Sequence, residues 1–175
     1  MRLGLPFDTA APGVEESHLP GEPPGERARR LALAKARAVS ARTPQAAVIG
    51  SDQVALGGAT VLDKPGDARR CREQLRALSG SEARFLTAVA VVCAARGFVE
   101  EFTDVTVVKF RRLTLEEIDR YVERERPWDC AGGFRSETLG VTLFERIDSS
   151  DPTGLIGLPL IRLAAALRAL GFALP

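Results

Sequence analysis

AAVIGSDQVALGGATVLDKP, residues 46–65, contains the clearest strand and turn signals in the chain. Its first apolar run, AAVIG, is typical of a short buried strand, and it ends in the polar residues Ser51, Asp52 and Gln53. Two further apolar runs, VAL and ATVL, are separated by the pair Gly57-Gly58. Apolar runs divided by two glycines predict a tight β-hairpin.

The register of this hairpin follows from the length of its turn. A two-residue turn at the two glycines places Leu56 opposite Ala59, and the pairing then continues to Asp52 opposite Asp63. Lys64 falls diagonal to Asp52 and within reach of its side chain. The sequence therefore predicts a carboxylate and an ammonium group side by side at the end of a buried strand.

Such a pair allows two interpretations. Asp52 and Lys64 could together hold a divalent metal and a phosphate oxygen, or position and activate a water molecule. They could equally form a structural ion pair at a strand end. The residues by themselves leave both interpretations open.

The rest of the chain alternates between helical and extended patterns. Residues 1–24, rich in Pro and Gly, predict a covering loop. Asp67 is a candidate N-cap, and Thr114 with Glu117 forms a candidate capping box. This order predicts a single α/β (α+β) domain over residues 1–175, with a long mixed sheet flanked by helices. Helices are predicted over 25–41, 67–80, 114–126 and 159–171, and further strands over 83–95, 98–112 and 141–147.

Composition excludes several classes of protein. The chain has 175 residues, 45% of them apolar and 27% charged, as expected of one globular domain. Its net charge of +1 argues against a general nucleic-acid binder, and no apolar run is long enough to span a membrane. The first residues do not resemble a secretory signal, so we expect a cytoplasmic protein.

Few residues are suited to other kinds of chemistry. The three cysteines lie far apart, which predicts reduced thiols and no structural zinc site. His18 is the only histidine, so mechanisms that combine a nucleophile with a histidine base would depend on it alone. Neither a G-x-x-x-x-G-K-[ST] loop nor a G-x-G-x-x-G loop occurs.

Many short motifs in one order resemble the Maf family of nucleoside triphosphate pyrophosphatases, in the branch that prefers 7-methyl-GTP. The resemblance covers the chain from Leu3 onward and implies the inosine-triphosphatase-like fold of that family. The motifs are Ile49–Val54 with its S-D-Q core, Lys64-Pro65, Leu75–Gly80, Thr87–Val89, Phe110-Arg111, Cys130–Gly132 with Ser136-Glu137, Val141–Arg146 and Gly157–Pro159.

The resemblance implies hydrolysis of the α–β phosphate linkage with a divalent cation, Mg²⁺ or Mn²⁺. Asp52 matches the proton acceptor, and Glu16 matches an acidic residue near the metal, so both are candidate metal ligands. Lys35 and Lys64 match lysines that contact phosphate. By pattern alone, Lys35 also fits a lysine that extends along an apolar helix face towards solvent.

Gln53 and Glu137 match the positions that select the base. A carboxylate at Glu137 can accept two hydrogen bonds from guanine, and a cationic 7-methylguanine would favour it further. A solvated loop carboxylate is the simpler interpretation of Glu137. Trp128 fits a core or lid residue, or a face on which the cationic base stacks.

The chain departs from the family at its start, where no S-x-S-P-R-R segment occurs. The resemblance therefore suggests that the first strand and helix of the fold are missing, and we expect weak or no turnover by this form. A form extended upstream should be active. Strong turnover of 7-methyl-GTP by the 175-residue chain would contradict this expectation.

The leading hypothesis is an enzyme that removes modified nucleotides, with a nucleotide as its partner and neither nucleic acid nor membrane. The alternative is a non-catalytic protein that binds nucleotide or regulates septum formation, since the wider family has been linked to that process. A third hypothesis is a pyrophosphatase for inosine or xanthosine triphosphate. Members of the family are often dimers, so the resemblance also suggests a homodimer.

Overall fold

A computed structural model describes residues 2–175. Five strands form one sheet in the order β2-β1-β3-β4-β5, and four α-helices accompany it. The α/β class is confirmed, but the sheet is antiparallel rather than mixed. The elements are α1 (Pro24–Ser40), β1 (Val48–Gly57), β2 (Thr60–Leu62), α2 (Ala68–Leu78), β3 (Glu82–Cys93), β4 (Phe98–Phe110), α3 (Leu115–Glu125), β5 (Phe144–Asp148) and α4 (Leu160–Ala169).

The described residues fall into two compact units. The first comprises the chain up to Gln53, Thr87–Asp104 and Asp151–Pro175, and contains α1 and α4. Its core joins β3 and β4 to apolar side chains of α4. The second comprises Val54–Leu86 and Val105–Ser150, and contains α2 and α3. Four rings pack edge to face there at centroid distances of 5.0–5.4 Å, those of Phe85, Phe110, Phe134 and Phe144.

Local sequence signals predicted the helix starts correctly. Asp67 caps α2 by accepting a hydrogen bond from the Arg70 N–H at 2.8 Å. At the start of α3, Thr114 and Glu117 form the predicted capping box. Both motifs satisfy N–H groups that the first helical turn leaves unpaired, and they depend only on residues three apart. Residues 2–23 form neither helix nor strand, as predicted.

The predicted hairpin exists, but its register was wrong by two residues. Gly57 pairs with Thr60 and Leu56 with Val61, so the turn is Gly58-Ala59. Gly58 has a φ of +60°, which suits the first central position of a type II′ turn. Because Gly57 and Gly58 are adjacent, either could occupy the first central position of the turn. The sequence pattern favoured Gly57, whereas the structure has Gly58 there.

Strand pairing also stops sooner than predicted. The ladder ends at Leu62, so Asp63 does not pair with Asp52, and Lys64 follows β2 outside the strand.

Another prediction, a strand over 141–147, was wrong at its start. Residues Leu139–Leu143 form a 3₁₀ turn, which Thr142 closes by donating a hydrogen bond to the Leu139 carbonyl at 2.8 Å. β5 begins only at Phe144.

No helix within residues 2–175 has both the length and the apolar character needed to cross a membrane.

Helix α1 lies directly against β1 because Gly50 has no side chain. A Cβ atom added to Gly50 would lie 2.3 Å from the Ala32 carbonyl oxygen and 2.7 Å from the Ala36 nitrogen. Backbone atoms inside a helix cannot move aside as the end of a flexible side chain can. The glycine therefore determines how closely α1 approaches the strand that carries Asp52.

We predict that Gly50→Ala lowers the free energy of unfolding by about 1–3 kcal/mol, because the added methyl group overpacks this contact. Gly57→Ala is the matched control on the same strand. Its added Cβ would meet side-chain carbons of Leu62 and Leu78 at 3.3 Å, a contact that small movements relieve. Urea unfolding of both variants measures the effect. Equal stability of Gly50→Ala and the wild type would contradict this account of the α1–β1 contact.

Candidate active site

A lysine from α1 binds an aspartate from β1. The Lys35 ammonium lies 2.7 Å from Asp52 Oδ1, and the two side chains are only 18% and 12% exposed. The close approach at Gly50, two residues before Asp52, is what allows a side chain of α1 to reach the strand. The interpretation of Lys35 as a lysine that extends along an apolar helix face towards solvent is therefore wrong, since its ammonium is held by a largely buried carboxylate.

The same ammonium binds a second carboxylate. Glu16, in the segment that precedes α1, places its Oε1 2.9 Å from Lys35 Nζ. The structure thus brings together three of the predicted site residues, Asp52, Lys35 and Glu16. Glu16 is 53% exposed, so the group opens towards solvent at this carboxylate.

The two carboxylates keep Lys35 protonated. Burial by itself would lower the pKa of Lys35, but hydrogen bonds to Asp52 and to Glu16 outweigh burial, and the pKa is raised above its ordinary value. Lys35 is therefore a permanent positive charge at neutral pH. It can neutralise a carboxylate or a phosphate oxygen, and it cannot act as a general base there.

Arg30, a residue that sequence reasoning missed, anchors the segment that carries Glu16. Its guanidinium binds both carboxylate oxygens of Glu22, at 2.6 and 2.7 Å, and lies 3.2 Å from the Ser17 carbonyl oxygen. The hydrogen bond from Arg30 lowers the pKa of Glu22, and the same bond raises the pKa of Arg30. Such a bidentate pair fixes direction as well as distance, so it holds residues 17–22 against α1.

Neighbours of Asp52 on β1 point the other way. Ser51 Oγ lies 2.7 Å from the Gly157 carbonyl oxygen, and Gln53 Nε2 lies 2.7 Å from Thr87 Oγ1. Gln53 Nε2 also lies 3.2 Å from the carbonyl oxygens of Gly154 and Leu155. Because side chains alternate along a strand, Ser51 and Gln53 attach β1 to the 154–157 turn, and Asp52 faces α1.

Gln53 therefore attaches β1 to Thr87 and the 154–157 turn, a structural role that was not evident from the sequence. Its amide hydrogens are directed at protein acceptors, which leaves the carbonyl oxygen Oε1 as the atom that could contact a base. Ser51 and Thr87 support the same connection, and the sequence offered no signal that these side chains would meet. The role of Gln53 in selecting the base stays a prediction.

The chain shares its sequence pattern with one family over nearly its whole length. The profile of the family described as Maf-like protein matches residues 1–170. The chain belongs to the Maf-like family. Its similarity to individual members is high as well, and it extends to proteins named for one substrate.

Three such relatives are called 7-methyl-GTP pyrophosphatase. The relative from Polaromonas is 52% identical over 173 residues, which cover 99% of this chain and 79% of that protein. The relative from Aromatoleum aromaticum is 51% identical over 174 residues, or 99% and 90% of the two chains. The relative from Nitrosococcus oceani is 46% identical over 171 residues, or 98% and 86%.

Lys64 and Glu137 lie in the second compact unit, and both are exposed. Lys64 follows the end of β2, and Glu137 lies in a loop where its Oε2 accepts a hydrogen bond from Ser136 Oγ at 3.2 Å. The strand register no longer supports a place for Lys64 beside Asp52. The assignment of Lys64 to phosphate and of Glu137 to the base rests on the resemblance, and both stay predictions.

The chemistry of the donor set fits a divalent cation of the Mg²⁺ type. Asp52 and Glu16 are two hard oxygen ligands directed at one point, which Lys35 Nζ occupies. Mg²⁺ typically binds through one or two carboxylates and completes its coordination with water and substrate phosphates. A site made entirely of protein ligands is not offered, because residues 2–175 contain no cluster of three or more potential ligands.

We predict that the contribution of Lys35 to stability disappears only at high pH. The folded-state pKa lies above the unfolded value, so the contribution is fully present below the unfolded pKa of about 10.4 and is lost as the pH rises through the folded pKa. The difference in unfolding free energy between wild type and Lys35→Met should be constant from pH 7 to about 10 and should shrink above that range. Urea unfolding across this range measures it. A difference that grows above pH 10 would contradict the assignment.

Proposed function

We propose that this protein hydrolyses 7-methyl-GTP to 7-methyl-GMP and diphosphate. The observation that carries the proposal is the contact of Lys35 with both Asp52 and Glu16. Relatives about 50% identical over nearly the whole chain bear the name of this activity. An enzyme that cleaves this bond removes a modified nucleotide in one step, and it belongs to the hydrolases that act on acid anhydrides.

In the proposed reaction, water attacks the α-phosphorus. A bond forms between the water oxygen and the α-phosphorus, and the bond from that phosphorus to the bridging oxygen breaks, so that diphosphate leaves. Asp52 accepts the proton of the attacking water, a role that suits a carboxylate fixed on a rigid strand. Lys35 provides a positive charge against the phosphate oxygens as negative charge redistributes between them.

The net charge of the Asp52, Glu16 and Lys35 side chains supports a role for a cation in the reaction. Two carboxylates and one ammonium group leave the cluster with a net charge of −1, which opposes the approach of a triphosphate. Mg²⁺ or Mn²⁺, held by Asp52 and Glu16, would supply the missing positive charge next to the phosphates. Lys64 is the second positive charge that we assign to the phosphates.

Base selection is assigned to Gln53 and Glu137. The Glu137 carboxylate accepts hydrogen bonds from the N1 and N2 donors of guanine, and its charge favours the cationic 7-methylated base over plain guanine. Gln53 offers the Oε1 that its contacts with Thr87 and the 154–157 turn leave available. Because nucleoside triphosphates are cytoplasmic metabolites, we also propose a cytoplasmic location.

Asp52→Asn tests the role of the proton acceptor. The amide keeps the shape of the carboxylate and can still bind Lys35, but it is a poor base. We expect diphosphate release from 7-methyl-GTP to fall by about 10²–10⁴-fold, with kcat bearing most of the loss. Wild-type turnover in this variant would remove Asp52 from the mechanism.

Glu16→Gln tests the cation, with Glu15→Gln as its matched control. Glu15 is the adjacent carboxylate, but it accepts a hydrogen bond from Ser17 and makes no contact with Lys35 among the described ion pairs. We expect Glu16→Gln to weaken Mn²⁺ binding by about 10–150-fold, since the loss of a contact with a charged group costs about 1.5–3 kcal/mol, and Glu15→Gln to leave it unchanged. Electron paramagnetic resonance of free Mn²⁺ measures binding without turnover. Equal Mn²⁺ affinities of both variants would exclude Glu16 as a ligand.

A further inference from the structure

Hydrogen bonds attach the loop of residues 129–139, which carries Glu137, to the C-terminal end of α3. Glu125, the last residue of that helix, accepts a hydrogen bond from Thr138 Oγ1 at 2.8 Å and one from the Leu139 N–H at 3.2 Å. Its side chain is only 12% exposed. A buried carboxylate with two donors fixes their positions more firmly than a neutral acceptor would, because hydrogen bonds to a charged group are stronger.

A second set of contacts holds the other side of Glu137. Arg135 donates to Asp129 Oδ1 at 2.6 Å and lies 3.6 Å from Glu125 Oε1. The hydrogen bond from Arg135 also lowers the pKa of Asp129. In addition, the Arg135 N–H donates to Tyr121 Oη of α3 at 3.1 Å. Residues on both sides of Glu137 are therefore bound to the same helix end.

The Glu137 carboxylate is free to contact a ligand from solvent. Its side chain is exposed, and Ser136 Oγ is its one hydrogen-bond partner within residues 2–175. The contrast between a tightly bound loop and a carboxylate that projects from it is typical of a group that is positioned for a ligand. Neither Glu125 nor Arg135 was identified from the sequence as a site residue.

We propose that Glu125 is a positioning residue for base selection: by binding Thr138 and Leu139, it holds the Glu137 carboxylate where the guanine base is received. This inference rests on the proposed function of Glu137. Glu125 does not touch the substrate in this proposal and acts through the loop. Loss of its charge should therefore weaken recognition of the base without removing the hydrolytic group on β1.

Glu125→Gln is the first test, with Glu123→Gln as the matched control on the same helix. Glu123 is 72% exposed and has Arg72 as its ion-pair partner, at 3.8 Å. We expect Glu125→Gln to reduce the preference for 7-methyl-GTP over GTP by about tenfold, the size expected when one hydrogen bond to a charged group is lost. The change should fall on KM rather than on kcat, because contacts with the base are made before and during the reaction alike. The control should keep the wild-type preference.

A double-mutant cycle with Glu137→Gln distinguishes positioning from a general structural effect. If Glu125 acts through Glu137, Glu125→Gln causes no further loss of preference once Glu137 is replaced. Losses that multiply, or a wild-type preference in Glu125→Gln, would overturn the inference. Absence of triphosphate turnover both by this chain and by a form extended upstream would instead overturn the proposed function.

Trp128 gives a readout that needs no turnover. It is the only tryptophan of the chain and directly precedes the loop, so acrylamide quenching of its fluorescence reports on the order of this segment. We expect stronger quenching in Glu125→Gln and wild-type quenching in Glu123→Gln. Should Glu125→Gln fail to fold, Thr138→Val removes the donor of the 2.8 Å bond at an exposed site and should shift preference and quenching in the same direction. Wild-type values for Thr138→Val would overturn the inference.

Discussion

One ammonium group shared by two carboxylates is the interaction on which the first compact unit depends. Lys35 binds Asp52 of β1 and Glu16 of the preceding segment, so a helix, a strand and a stretch without regular structure meet at one nitrogen atom. Two features make this meeting possible. Gly50 lets α1 lie on the strand. Arg30 binds Glu22 and thereby holds the segment that follows Glu16. Removing either feature would separate groups that the proposed reaction requires within hydrogen-bonding distance.

Alternation along β1 places Asp52, the proposed proton acceptor, on the face opposite two side chains with structural contacts. Asp52 faces α1, whereas Ser51 and Gln53 bind the 154–157 turn on the other face. Gly154 belongs to this arrangement too, since a Cβ there would lie 2.2 Å from Asp104 Oδ2, a carboxylate that is 3% exposed. The strand is therefore fixed on one face by neutral hydrogen bonds, which leaves the other face free to carry charge. A carboxylate on such a rigid support keeps its direction when substrate arrives.

The proposed site combines two negative charges with a substrate that is itself negatively charged. In the free protein, Lys35 neutralises part of the charge of Asp52 and Glu16. The ammonium group thereby offsets the repulsion between the two carboxylates. In the proposed reaction, the two carboxylates would hold the cation and the ammonium group would face phosphate oxygens. The same three side chains can thus stabilise the folded protein and exchange partners during binding.

Features that depend on a local structural signal were predictable from the sequence. The caps at Asp67 and Thr114, the extent of α1 and the strand that carries Asp52 all follow from residues a few positions apart. The predicted hairpin register was wrong, because two adjacent glycines allowed two turns that differ in which residues pair.

Contacts between distant segments were not predictable from the residues. Neither the Arg30–Glu22 pair nor the contact of Gln53 with Thr87 leaves a pattern in the chain, since each depends on how separate elements pack. Glu16 and Lys35 were identified by resemblance, and the structure then brought them to Asp52. For Lys64 and Glu137, the resemblance remains the support.

A crystal structure of the protein with Mg²⁺ and the α,β-methylene analogue of 7-methyl-GTP, which cannot be cleaved between the α- and β-phosphates, would test the proposed roles of Asp52 and Lys35. We expect that a single water molecule separates the Asp52 carboxylate from the α-phosphorus and that Lys35 has turned towards a phosphate oxygen. A nucleotide bound elsewhere, with Lys35 still on both carboxylates, would contradict these roles.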